Sequence, residues 1–178
     1  LVKNSSGTGI KVAAYGSILL SNTSSTGNGG DGCWLDNNAF PSAASTITVW
    51  GKSNSRRALF TNNAGTGLRL DEVTGVVDIK NVTASQNDTG ASVIGPKITG
   101  ITVVQATFER NIPNRGIEIN LNYVANSALV SFDKVSANRN GLQGAFMLSK
   151  NNVTIGRSKL TKNGSWGIYW YQSDVAWH

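Results

Sequence analysis

The side chains able to do chemistry in this chain are few, and their scarcity excludes whole reaction classes. The single histidine is His178 and the single cysteine is Cys33. A lone terminal imidazole and a lone thiol leave no basis for Ser-His-Asp or Cys-His catalysis, a multi-histidine metal site, a multi-cysteine zinc site or an internal disulfide. Carboxylates number ten, counting Asp and Glu together. General acid–base work needs two of them flanking one bond. Asp71 and Glu72 are adjacent, so on a strand they point to opposite sides. Asp31 and Asp36 flank "GCWL", and no cluster of outward acids recurs elsewhere. The expectation is a chain with no catalytic residue, no metal site and no cofactor.

Basic and aromatic residues offer more. In "WGKSNSRR", Trp50 stands close in sequence to Lys52, Arg56 and Arg57. An indole beside three cations can stack on a sugar or hold an acidic group. The plainer alternative is a surface excursion whose Trp covers a sheet edge, since loop insertions are cheap. Lys and Arg exceed Asp and Glu by 16 to 10, a formal net charge of +6. That balance permits an acidic polymer as partner, and it also serves solubility. No motif that reads nucleic acid is present.

What positions these residues is a repeat. From Val153, "VTIGRSKLTKNG" places apolar or small residues at Val153, Ile155, Ser158 and Leu160, with Asn163 after them. The same offsets recur from Val130 to Asn140, from Ile101 to Asn111, from Val77 to Asn87 and, more weakly, from Ile18 to Asn28. In one unit the second half is delayed: Ile47 and Val49 start it, and Ala58, Phe60 and Asn63 arrive after "WGKSNSRR". After each Asn comes Gly, then apolar-x-apolar: Cys33/Leu35, Leu68/Leu70, Ala91/Val93, Ile117/Ile119, Ala145/Met147 and Ile168/Trp170. Phe146/Leu148 fits the fifth of these equally well. Asn-Gly, as in "LTKNGSWGI", is a strong turn signal because both residues tolerate positive φ.

Each unit therefore holds three short strands alternating apolar and polar. Three such strands bury an apolar face only if coils stack, about 4.8 Å apart. The expected fold is all-β: a single-stranded right-handed parallel β-helix of six to seven coils, a rod roughly 30 Å long at that rise. Loop insertions fall at about 36–46, 50–57 and 120–129. Asn28, Asn63, Asn87, Asn111, Asn140 and Asn163 then stack as a ladder of side-chain amides. The residues before four of them are Gln86, Arg110, Arg139 and Lys162, a column of three cations after one glutamine. Such a column is either a solvated face or a site for an anion, with Glu109 offsetting part of the charge.

With its coils of apolar-x-apolar, Asn and Gly-Ile, the chain resembles right-handed parallel β-helix proteins of the pectate-lyase-like superfamily, over about residues 9–171. That resemblance implies the fold. It leaves open a choice among polysaccharide lyases and hydrolases, phage tailspikes, adhesins and surface structural proteins. The hydrolases use two or three clustered Asp, often with Gly-His-Gly and Arg-Ile-Lys runs, and the lyases hold Ca²⁺ with several Asp. None of these elements is present in this sequence.

Composition agrees with a turn-rich β protein: 39% hydrophobic, Gly 20 and Pro 3. No apolar run of about 18 residues is present, so no membrane-spanning helix is expected. The opening "LVKNSSGTGI" reads as the middle of something longer, which makes the chain a single β-helix domain over 1–178 that is a segment of a longer protein or an assembly subunit. Trp166, Tyr169, Trp170, Tyr171 and Trp177 in the last coil can plug the core end or bind another copy. Six Asn-x-Ser/Thr sequons, at Asn4, Asn22, Asn81, Asn87, Asn152 and Asn163, are compatible with secretion, and a glycan on Asn87 or Asn163 would break the Asn column. The functional expectation is a noncatalytic extracellular or surface module, structural or adhesive, with polysaccharide or another acidic polymer as partner. The alternative is a fragment of a polysaccharide lyase or hydrolase, or of a phage tailspike, with catalytic residues elsewhere.

Overall fold

The computed structural model describes residues 1–37, 45–121, 128–150 and 152–171. The central parts of the insertions at 36–46 and 120–129, and Trp177, lie outside the described residues. Among the described residues there is no helix, and every named strand belongs to one of three sheets. The first sheet stacks Ile18–Ser21, Thr46–Trp50, Thr74–Lys80, Lys97–Val104, Leu129–Asp133 and Val153–Gly156. The second stacks Val2–Lys3, Ser24–Thr26, Ala58–Thr61, Val82–Ser85, Thr107–Glu109 and Ser136–Asn138. The third stacks Ile10–Ala13, Cys33–Asp36, Thr66–Asp71, Thr89–Ile94, Ile117–Asn120, Ala145–Leu148 and Ile168–Tyr171. The chain visits the sheets in rotation and pairs each strand in parallel with its counterparts one coil away, building a β-solenoid of about six turns.

Register follows the apolar pattern residue for residue. Ile18, Ile47, Val77, Ile101, Val130 and Val153 stand in one column of the first sheet. In the third sheet Cys33, Leu68, Ala91, Ile117, Ala145 and Ile168 do the same, so Ala145 and Met147 face inward and Phe146 outward. Leu59 pairs with Ser24 and Ala58 with Val82, which makes 51–57 an insertion between the first and second strands of its coil. A one-residue slip would turn every apolar side chain to solvent, and this is what holds the register. The inward columns form one core, with Phe60, Phe108 and Phe132 among its largest fully buried side chains. No helix among the described residues is long and apolar enough to cross a membrane.

The bends work differently from the Asn-Gly expectation. Positive φ falls on the residue before each ladder Asn: 56° at Asn62, 58° at Gln86, 55° at Arg110, 57° at Arg139 and 58° at Lys162. Neither Asn163 nor Gly164 is left-handed; Lys162 is. The glycines of the Asn-Gly pairs serve close approach instead. A Cβ on Gly164 would run into the carbonyl oxygen of Gly141, and one on Gly141 into that of Pro113. Stacked coils press backbone on backbone at this corner, so the missing side chain matters more than the permitted dihedral. A left-handed non-glycine residue costs about 1–2 kcal/mol; at this corner it recurs coil after coil beside an Asn fastened on both sides, and it recurs likewise at Asn22, Asn81, Gln105, Lys134 and Arg157 between the first and second sheets.

Cys33 sits in this core between Ile10 and Leu68. It is fully buried, and burial, with the charge of Asp31 adding to it, pushes its thiol up to about 12. The thiolate is the reactive form. A thiol reagent such as Ellman's disulfide should therefore leave Cys33 untouched in the folded protein and titrate one thiol on unfolding; rapid labelling under native conditions would contradict the packing.

Candidate functional site

The asparagine column is built first, because it fixes the corner beside it. Each Asn Nδ2 donates to the Oδ1 of the next Asn along Asn28, Asn63, Asn87, Asn111, Asn140 and Asn163, at 2.8, 2.9, 3.4, 2.9 and 2.9 Å. Each accepting Oδ1 also takes the backbone N–H of the Asn before it, at 3.0–3.1 Å. From Asn63 onward, Nδ2 donates again to a carbonyl of the previous coil: Ser25, Phe60, Ala84, Phe108 and Ala137 in turn. At the other end Asn28 Oδ1 accepts the N–H of Ser5. The glycine that opens each third strand leaves room for this amide; a Cβ on Gly116 would lie 2.8 Å from Asn140 Nδ2, and one on Gly144 2.7 Å from Asn163 Nδ2. These amides spend their polar atoms on the backbone and on one another.

Arg110, Arg139 and Lys162 project from the left-handed residues next to this ladder, and all three are exposed. Arg139 and Lys162 line a shallow pocket of about 160 Å³ together with Glu109, Asn138, Lys159 and Thr161. Arg110 is not part of its lining. Glu109 Oε1 is held by Ser136 Oγ at 3.2 Å and Asn138 Nδ2 at 3.0 Å, while Asn138 Oδ1 accepts the N–H and hydroxyl of Thr161.

The other candidates separate. Arg57 turns onto the second sheet, where Nη1 donates to Thr107 Oγ1 at 2.7 Å, Val82 O at 3.3 Å and Thr83 Oγ1 at 3.4 Å. Partial burial there holds its guanidinium below the ordinary value. Lys52 and Arg56 are exposed on the inserted loop, whose tip is closed by paired backbone bonds between Ser53 and Arg56. Trp50 faces out from the end of its first-sheet strand, 38% exposed. Among the described residues it makes no cation-π contact with them. It lines a groove of about 330 Å³ with Thr48, Asp78, Ile79, Lys80, Thr102 and Val104. Register explains the set: Thr48, Asp78 and Thr102 form one outward column, and Trp50, Lys80 and Val104 the next.

Most other carboxylates near a cation or amide are committed to local structure. Asp71 and Asp31 meet Arg69, Glu118 meets Arg115, and Asp88 accepts both available contacts from Asn114 Nδ2. Asp133 is held below the usual carboxylate range by its bonds from exposed Arg157. Among the described residues no group of three or more His, Cys, Asp or Glu is placed to hold a metal ion. In the last coils, Phe146 stacks on Tyr169 at 5.4 Å and Trp166 tilts against Tyr169 at 5.0 Å. Strand alternation puts Tyr169 and Tyr171 on the outer face and Trp170 over buried Met147.

No protein-family model matches the chain, nor does any curated protein or solved structure. The site therefore rests on its own geometry. Reading the sequence missed Thr48, Asp78, Lys80 and Thr102 as companions of Trp50. The signal was present: Thr48 precedes Trp50 by two residues on its own strand, and Asp78, Lys80 and Thr102 are outward members of apolar-x-apolar strands, or the residue just after, one or two coils away.

Proposed function

We propose that this solenoid is a noncatalytic structural or adhesive module, acting outside the cell or at a cell or virion surface, that binds polysaccharide along the Trp50 groove. The proposal includes kinship with right-handed β-helices of the pectate-lyase-like kind, which the Asn column at a constant corner supports. One observation carries the binding reading: an exposed indole shares a groove with Asp78 and Lys80 of the next coil and with two threonine hydroxyls, Thr48 of its own strand and Thr102 two coils on. An aromatic face takes the C–H face of a pyranose ring, while a carboxylate accepts from, and an ammonium donates to, its hydroxyls. All these side chains sit on sheet strands, so little ordering is needed on binding.

The test is binding of wild type and Trp50→Ala to a glycan array, followed by titration of each hit. The substitution should weaken binding by about tenfold or more, with no reducing ends or unsaturated products released. Unchanged affinity in Trp50→Ala would sink the groove, and product release would favour the enzyme-fragment alternative. Association of copies through the aromatic last coil belongs to the same proposal. A small-angle scattering profile of a plain monomer at high concentration would remove it.

A further inference from the structure

Charge on this rod is settled unevenly. Arg69, Arg115 and Arg157 each hold a carboxylate. Around the second sheet the cations hold none: Arg57, Arg110, Arg139, Lys159 and Lys162 form no ion pair among the described residues. The one acid in that pocket, Glu109, has Oε1 engaged by Ser136 and Asn138. We infer that this face is a binding site for a linear anionic glycan lying along the rod axis, its carboxylates or sulfates met by Arg139, Lys159 and Lys162.

Three physical features support the assignment. Arg110, Arg139 and Lys162 occupy the same position on consecutive coils, so cations repeat at the coil rise of about 4.8 Å, a spacing comparable to one sugar of an extended chain. Like charges at that separation repel unless an anion or solvent offsets them. Their backbone positions are also fixed, since each is the left-handed residue of a bend pinned by the Asn ladder, and a preorganised row of cations loses less on binding than mobile ones. Finally, Thr161 Oγ1 donates its proton to Asn138 and keeps its lone pairs to accept from a sugar hydroxyl, and no aromatic side chain lines the pocket. Single-stranded nucleic acid is bound by stacking bases on aromatic rings, and among the described residues the second-sheet strands carry no outward aromatic side chain. The face is separate from the Trp50 groove, which lies on the first sheet, and the inference does not rest on that groove.

The experiment measures binding of the full chain to immobilised heparin, alginate, dextran and a single-stranded oligodeoxynucleotide. Wild type, Lys97→Gln and the triple variant Arg139→Gln/Lys159→Gln/Lys162→Gln are compared at several salt concentrations. Wild type should bind heparin, alginate or both more tightly than dextran, with affinity falling as salt rises. Heparin alone would identify sulfate as the anion, and alginate alone carboxylate. The triple variant should bind the anionic glycan roughly tenfold to hundredfold more weakly, while Lys97→Gln, which removes an exposed cation from the first sheet, retains it. All three altered side chains are exposed, so circular dichroism and the melting midpoint should match wild type. If the triple variant does not fold, Lys162→Glu alone should still weaken binding. Tighter binding to the oligonucleotide than to both anionic glycans, no binding to either at low salt, or undiminished affinity in the folded triple variant or in Lys162→Glu would overturn the inference.

Discussion

Asn111→Ala should lower the free energy of unfolding by about 2–5 kcal/mol. Asn111 is fully buried in the middle of the ladder and is held on four sides. Its Oδ1 accepts the backbone N–H of Asn87 at 3.1 Å and Asn87 Nδ2 at 3.4 Å; its Nδ2 donates to Ala84 O at 3.2 Å and Asn140 Oδ1 at 2.9 Å. Alanine leaves the Asn87 N–H without that acceptor in a place water cannot easily fill, and each orphaned buried group costs about 1–3 kcal/mol. The loss stays local in a stacked rod, so it should appear as fraying of neighbouring coils in hydrogen exchange as well as a lower urea midpoint. Asn111→Asp distinguishes amide chemistry from packing. It keeps the shape but replaces a donor with a second acceptor, facing Ala84 O and Asn140 Oδ1. At neutral pH it should be worse than alanine. Burial and those oxygens raise the new carboxyl's pKa in the folded state, so the folded state binds the proton more tightly. Its stability is therefore present at low pH and lost as pH rises through that raised value. Comparable urea midpoints for wild type and Asn111→Ala would remove the ladder as a source of stability.

Phe108→Ala should cost about 3–5 kcal/mol. Phe108 is fully buried and pairs with Ala137 on one side; Thr83 opposite Thr107 places Ala84 on its other side. One coil further, Phe60 pairs with Ala84. The inward column therefore alternates Phe60, Ala84, Phe108 and Ala137, with each ring filling the space its alanine neighbours leave. Removing the ring opens a cavity that the stacked strands cannot close, because hydrogen bonds fix the coil rise. Ala84→Phe is the converse experiment. It crowds three rings into consecutive coils and should destabilise by about 1–3 kcal/mol. Denaturant titration of both variants checks the pair; a neutral Ala84→Phe would show that the column has slack.

The sequence alone determined the coil. Burial demands period two on a strand, and a solenoid demands the same offsets in every unit, so Ile18, Ile47, Val77, Ile101, Val130 and Val153 announced their register before any coordinates. The delay before Ala58 likewise identified 50–57 as an insertion, because the pattern resumed unchanged after it; the structure keeps Trp50 on its strand and begins the loop at Gly51. The asparagine column was legible for the same reason. Other features depend on what one coil does to the next, and linear spacing does not carry that. The sequence could not say that Lys162 rather than Asn163 takes positive φ, or that Gly164 is there to let the Gly141 carbonyl approach. It grouped Trp50 with Lys52, Arg56 and Arg57 because they are neighbours along the chain. The solenoid instead gives Trp50 to Asp78 and Lys80 from the next coil and sends Arg57 to Thr83 and Thr107 on another face. Neighbours across a parallel sheet lie a full coil apart in sequence, so register, set by the buried apolar columns, decided which side chains share a surface.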